Sequence, residues 1–513
     1  MNLSLNEEQY RLLCEECDRV LLAPDSKIER VAIPWLHVIR EHPVFLANYV
    51  DLFESARSGK ALIRKWWRVL RSRAGWYRQI KRSLHSDGQP WYGPEDLAGK
   101  IDILFISHLL NSSHSGQADD FYFGELPNEL VARGHSAVVA LINHSGQSAS
   151  YIAGKWKESS VPRVILSGSL RILQEAAFHR RLKMESLRLR ELAKKDASSL
   201  AGRVLSRASE EALANGSLTN LRMASQIESL VTTLHPKAIV VTHEGHAWER
   251  VAFAAARRAL PRVKCIGYQH AALFRLQHAI RRNLASKYNP DHILTAGAVT
   301  QAQLARASGL CGIPVTVLGS NRGLVGGHEK SQNGGRKQKR THEDKPACLV
   351  IPEGIANECH LLFNFSLLCA QVLTHIHFVW RIHPILSFEA LAAKNQNLRH
   401  LPGNVEMSRM PIDQDLARCR WALYRGTTVI IQAVLAGLRP IYLKLADELS
   451  IDPLHELNGF RITVESPEDF LRIINVDPND DRNSQEKEFK VAYDYCRRYF
   501  LPWDVVALEN VAS

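Results

Sequence analysis

From residue 101 onward the chain repeats a pattern that leaves few folds open: a short apolar run, a polar turn, then a helical stretch. The apolar runs lie at 101–107, 136–142, 163–166, 238–241, 264–267 and 292–295. A second series occupies 347–352, 377–383, 404–408, 421–424 and 439–444. Short runs without polar alternation are strands buried on both faces. Their alternation with helices predicts parallel sheets covered by helices on each side. Helices are expected at 122–132 (ending at Gly134), through a long charged stretch over 170–232, and at 246–259, 355–373, 388–394, 429–435 and 486–500.

Between the two series, residues 321–345 are glycine-rich, basic and almost free of large apolar side chains, the composition of a linker. A chain of 513 residues exceeds one hydrophobic core. The predicted architecture is α/β, with two Rossmann-like parallel-sheet domains at 98–320 and 346–480 around the linker. A helical, basic N-terminal extension covers 1–97, and a C-terminal helical segment, 481–513, crosses back to the first domain. Two such sheets on one linker predict a cleft between them.

Charge and cysteine usage narrow the setting. The formal net charge of +12 calls for a partly anionic partner. No apolar run approaches the ~20 residues needed to cross a bilayer, and the first residues lack the shape of a signal peptide. Nine scattered cysteines argue against a disulfide framework and for a reducing cytoplasm. Cys14-x-x-Cys17 has no second pair nearby and is not expected to hold metal. Residues 57–85 carry ten Lys/Arg and no carboxylate, interleaved with Trp66, Trp67, Leu70, Trp76, Tyr77 and Ile80. That composition fits a helix lying on an anionic membrane surface, and equally a solvated basic face whose tryptophans pack on the next domain. No nucleic-acid-binding module accompanies it, so nucleic acid is not the expected partner.

Candidate chemistry sits at the strand ends, because open parallel sheets bind ligands beyond the carboxyl ends of their strands. The run from His377 ends in Arg381-Ile382-His383-Pro384. Proline stops the ladder there and biases His383 toward extended backbone. Arg381 and His383, two positions apart, would share a strand face and donate to a phosphate. Glu353-Gly354 ends the first strand of the same series, where Glu353 suits ribose hydroxyls, a base amine or a helix N-cap. Arg425-Gly426-Thr427-Thr428 joins a strand to a helix. Glycine allows the tight turn, and the two hydroxyl residues open a helix whose N–H groups and dipole favour a phosphate or accept ordinary capping.

In the first series Thr242-His243-Glu244-Gly245-His246 follows a strand. A carboxylate there is a natural general base for a sugar hydroxyl, and Gly245 would let a substrate approach the backbone. Tyr268-Gln269-His270 is a second polar strand end. His243 and His246 straddle a turn with no third ligand in view, so no metal is expected.

With these residues assembled, the chain resembles GT-B glycosyltransferases of bacterial surface-polysaccharide synthesis, nearest to the sialyl-, polysialyl- and Kdo transferases that use CMP-activated acidic sugars. Those sialyltransferases carry an acidic-residue-Gly motif in the N-domain, then a His-Pro motif and a hydroxyl pair in the C-domain. Glu244-Gly245, His383-Pro384 and Thr427-Thr428 match in kind and order. The first motif reads His-Glu-Gly rather than two acids and glycine, and the hydroxyl pair is Thr-Thr. The resemblance covers about 98–480. It implies a cytoplasmic or peripherally inner-membrane enzyme that moves a sugar from a CMP-linked donor to a glycan or lipid-linked acceptor, in lipopolysaccharide or capsule synthesis, without cofactor or divalent metal. Glu244 and His383 would be catalytic. Glu353, Gly354, Arg381, His383, Pro384, Gly426, Thr427 and Thr428 would hold the nucleotide sugar, and His243, Gly245, His246, Gln269 and His270 the acceptor. A CDP-glycerol-type transferase, a sugar-nucleotide epimerase or hydrolase, and a non-catalytic nucleotide- or glycan-binding protein are other readings of the same pattern.

Overall fold

A computed structural model describes residues 4–53, 59–95, 97, 99–112, 119–156, 160–322, 346–475 and 482–513. The expected linker, beyond Arg322, lies outside the described residues, as does the junction expected near 480.

The first sheet contains β1 (Trp91–Tyr92), β2 (Ile103–Leu109), β3 (Ala137–Asn143), β4 (Arg163–Leu166), β5 (Ala238–Thr242), β6 (Lys264–Gln269), β7 (His292–Thr295) and β8 (Val315–Val317). Their order is β1-β4-β3-β2-β5-β6-β7-β8. All neighbours are parallel except β1, which pairs antiparallel at the edge through Trp91 and Leu166. The pleat sends alternate residues to opposite faces. Ile103 and Phe105 join Val139, Val240, Phe123 and Leu126 on one face, while Leu104 and Ile106 meet Val138, Ile239, Ile227 and Phe253 on the other. Each such buried side chain contributes about 1.5–3 kcal/mol. That two-sided burial is why these runs show no polar alternation.

The second sheet contains β9 (Ala347–Ile351), β10 (His377–Trp380), β11 (Val405–Met407), β12 (Trp421–Tyr424), β13 (Arg439–Leu443) and β14 (Ile462–Val464), in the order β11-β10-β9-β12-β13-β14. It is parallel throughout. The two parallel-sheet α/β domains expected from the sequence are present. Three short strands, β1, β8 and β14, escaped the sequence pattern because two or three residues carry too little periodicity to register.

The compact units are drawn differently from the expected boundaries. One gathers the described residues of Leu5–His270, Gln277–Gly323 and Leu501–Ser513; the other gathers Ala271–Leu276 and those of Leu324–Phe500. The N-terminal region packs within the unit of the first sheet. Buried Arg30 pairs with Glu185 at 2.5 Å, Asn220 donates to the Ala32 carbonyl at 2.9 Å, and β1 extends the first sheet. The C-terminal segment divides. Helix Arg482–Cys496 stays with the second unit. Beyond it, Leu501 donates its N–H to the Ala296 carbonyl at 2.9 Å, and Val505 and Leu508 are buried with Phe123.

Candidate functional site

In the first sheet the chain runs outward from β2 through β3 to β4, then returns and runs the other way through β5, β6, β7 and β8. The connections diverge between β2 and β5, and such a switch point opens a crevice at the carboxyl ends of the strands. Four strands deliver polar residues there: His108 from β2, His144 after β3, Glu244 and His246 after β5, and His270 after β6.

The turn after β5 is set by a buried carboxylate. Glu249 in helix Ala247–Ala259 accepts the backbone N–H groups of Glu244 (3.0 Å), Gly245 (2.7 Å) and His246 (3.0 Å). It also lies 2.8 Å from Nδ1 of fully buried His243. Three charge-assisted bonds to one carboxylate, each worth about 1.5–3 kcal/mol, specify this turn. Gly245 has φ +89°, and a Cβ on it would lie 2.3 Å from the Ala279 carbonyl carbon. The expectation that Gly245 opens the backbone to substrate is therefore corrected: the chain's own backbone occupies that space. His243 likewise belongs to the interior, tucked 2.9 Å from where a Cβ on Gly267 would sit. Gln269 is fully buried.

Glu244 and His246 are what this turn presents. Glu244 Oε2 lies 3.4 Å from His246 Nε2, with the two side chains 19% and 41% exposed. Burial opposes the charge on Glu244, but the hydrogen bond to His246 and the positive charge of Arg40 hold its carboxyl well below the usual range. Burial also opposes charge on His246, yet Glu244 and Glu249 raise its pKa above the ordinary value. The result is a carboxylate–imidazole pair in which the imidazole is the stronger base.

Neutral rings surround the pair. His108 Nδ1 lies 3.0 Å from His144 Nε2, and its ring meets Trp248 edge-on at 5.0 Å. Burial and the neighbouring histidines push His108 down to about 3. His270 stacks on Tyr122 at 4.5 Å, and burial lowers it to about 4 against the pull of Glu244. Burial and Glu244 push Tyr122 up to about 12. Beyond His144 lies a cavity of about 800 Å³ lined by Gln147, Ser148, Ser167, Thr219 and Gln226, side chains that hydrogen-bond hydroxyl groups.

The second sheet has its switch point between β9 and β12, since β10 and β11 lie to one side and β13 and β14 to the other. Here glycines set the spacing. A Cβ on Gly426 would lie 2.2 Å from Glu353 Oε1, and one on Gly354 would lie 3.0 Å from His383 Nδ1. Glu353, Gly354, His383 and Gly426 therefore come together as the sequence motifs suggest. Nδ1 of His383 accepts the N–H of Ile385 at 3.3 Å, so the neutral ring carries its proton on Nε2 as a donor. Desolvation lowers the His383 pKa against the pull of Glu353, keeping that neutral form. Pro384 is exposed beside it. Thr427 Oγ1 accepts from Val429 N–H at 3.4 Å, and Thr428 is the N-cap of helix Val429–Leu435.

One arginine behaves differently from expectation. Arg381 lies past the end of β10 and is taken up by Asp415 and by the Met410 carbonyl at 2.6 Å. Its acid partner sits on helix Ile412–Arg418, so the shared-face phosphate pair with His383 does not form. Arg425 is buried between Glu448 (2.6 Å) and Glu358 (3.2 Å), directly beneath the Gly426 turn. Sequence reasoning missed His108 and His144, although each ends an apolar run just as His383 does. Nothing local marks Arg40, which reaches Glu244 from some two hundred residues away.

No family model matches the chain, and no curated protein matches it. Solved structures do align with it. The glycotransferase of kitacinnamycin is 13% identical, over 81% of this chain and 98% of its own, with a TM-score of 0.45. The spinosyn rhamnosyltransferase SpnG, complexed with thymidine diphosphate, is 12% identical over 80% and 100%, TM-score 0.44. A putative UDP-N-acetylglucosamine 2-epimerase from Listeria monocytogenes is 11% identical over 77% and 92%, TM-score 0.42. Likenesses at this level bring no reaction to this chain; the two-sheet fold stands on its own strand orders.

Proposed function

We propose that this protein transfers a sugar from a nucleotide donor to a hydroxyl-bearing glycan or glycolipid acceptor. The observation that carries the reading is the Glu244–His246 pair at the switch point of the first sheet. His246 takes the acceptor hydroxyl proton, and Glu244 stabilises the imidazolium that forms. The freed oxygen attacks the anomeric carbon as the bond from that carbon to the donor phosphate breaks. In the second unit, Nε2–H of His383 and the hydroxyls of Thr427 and Thr428 suit a donor phosphate, whose charge they would offset. Glu353, whose flexible carboxylate end lies over Gly426 and can move aside, suits the nucleoside. The cavity beyond His144, where Arg82, Asp87 and Arg222 join the hydroxyl and amide side chains, suits a polar, hydroxyl-bearing acceptor. A CMP-linked acidic sugar and a role in surface-polysaccharide synthesis rest on the resemblance of Glu244-Gly245, His383-Pro384 and Thr427-Thr428.

The test is a thermal-shift screen of CMP, CDP, UDP and GDP sugars, followed by product assays with and without acceptor. A CMP sugar should raise the melting temperature, since a ligand bound only to the native state stabilises it, and His383→Ala should abolish the shift. Glu244→Gln should keep the shift and lose about 10³-fold in transfer. Wild-type transfer should fall as pH drops through the raised His246 pKa, because the base must be neutral. Glu244→Gln removes the group that raises that pKa, so its acid limb should move to lower pH. Donor turnover that needs no acceptor, or transfer that survives both substitutions, overturns the reading.

A further inference from the structure

Helix Gly59–Leu84 turns one face inward. Gly75, Gln79 and Ser83 are buried, Trp76 stacks on His179 at 4.2 Å, and Ser72 Oγ donates to the Leu213 carbonyl at 2.5 Å. Arg68 also turns in, to Glu210 at 3.1 Å and Asp51 at 3.4 Å. The tryptophans therefore divide: Trp76 packs on the protein, while Trp66 and Trp67 do not.

On the remaining face Ile63, Trp67, Leu70, Tyr77 and Leu84 recur at intervals of three, four and seven residues, with Trp66 beside Trp67. That spacing makes one stripe along a helix, about 30 Å long at ~1.5 Å per residue. Each of the six is more than half exposed, Tyr77 at 70% and Trp66 at 66%. Soluble surfaces rarely leave so continuous an apolar band uncovered. Exposed Arg71, Arg73, Arg78, Lys81 and Arg82 flank it, and none of these five pairs with a carboxylate among the described residues. A groove of about 970 Å³ runs beside the helix and adds Arg190 to Arg71, Arg78 and Arg82.

We propose that this face docks the protein on an anionic phospholipid bilayer. Trp66, Trp67 and Tyr77 sit at headgroup depth, where amphipathic rings are favoured, and the flanking cations meet lipid phosphates. Among the described residues no helix is long and apolar enough to cross a membrane, so the helix lies on the surface. A second copy seated on the stripe would set arginines against arginines, since the nearby carboxylates Asp51, Glu210 and Glu211 already pair with Arg68 and Arg207. A nucleic acid would use the arginines and leave the apolar stripe in water. The inference is independent of the transfer reaction.

The full chain is mixed with vesicles of phosphatidylcholine, alone or with phosphatidylglycerol, and recovered by flotation. It should float with the anionic vesicles and remain behind with the neutral ones. The triple variants Trp66→Ala/Trp67→Ala/Tyr77→Ala and Arg71→Gln/Arg73→Gln/Arg78→Gln touch exposed positions and should melt like wild type. Each should lose on the order of a hundredfold in partitioning. Arg71→Lys/Arg73→Lys/Arg78→Lys keeps the charge and should retain binding. Equal flotation of wild type and either disabling variant overturns the proposal. So does a dimer that the aromatic variant dissolves, or RNA binding that the aromatic variant leaves intact in a protein that does not float.

Discussion

The turn after β5 and the turn after β12 stand at equivalent places, each at the switch point of its sheet, yet they rest on buried charges of opposite sign. Under the first, the Glu249 carboxylate gathers three backbone N–H groups, and the glycine above it is held against immovable backbone. Under the second, the Arg425 guanidinium joins two carboxylates, and the glycine above it lies nearest the flexible end of Glu353. The first turn is rigid and presents a coupled acid–base pair. The second leaves space that a ligand can take by moving one side chain. Under the proposed function the first arrangement suits proton transfer, which needs fixed geometry, and the second suits nucleotide binding, which needs room.

Removing the buried cation should have the largest effect. Arg425→Met removes the buried cation shared by Glu358 and Glu448 and should cost about 3–5 kcal/mol in denaturant unfolding. A loss below about 1 kcal/mol would mean that the second turn does not depend on that charge.

The glycines test rigidity directly. Gly245→Ala combines a positive φ with a backbone collision and should cost about 2–4 kcal/mol of stability. Gly426→Ala should leave stability within about 1 kcal/mol, because Glu353 can swing aside, while weakening nucleotide binding about tenfold, measured by calorimetry. Equal stability costs at the two positions would break the contrast.

An effect spread over several pH units belongs to the rings around Glu244. His108 and His270 are depressed to about 3 and about 4, so between the unfolded value near 6.5 and those values only the unfolded chain takes up their protons. Melting temperature should therefore fall as pH drops from about 6.5 toward 4. His270→Phe, which cannot bind a proton, should flatten that decline; an unchanged slope would remove His270 from the account.

The sequence by itself determined the strand–helix alternation, and with it both parallel sheets, because an apolar run and the polar turn ending it are local features. It also marked Glu244, His383, Glu353 and Gly426 as strand-end residues, since the end of such a run can be read directly from the chain. Which of those residues face solvent was settled by partners distant in sequence. Asp415 claims Arg381, Glu358 and Glu448 claim Arg425, and the Ala279 backbone fills the space above Gly245. No spacing rule brings such groups together. They meet only when the sheets have formed, and burial then makes each unpaired charge too costly to leave. The basic stretch at 57–85 divides in the same way: its composition was legible, but only packing against the first unit decided that Trp76 turns inward and Trp66 and Trp67 remain outside.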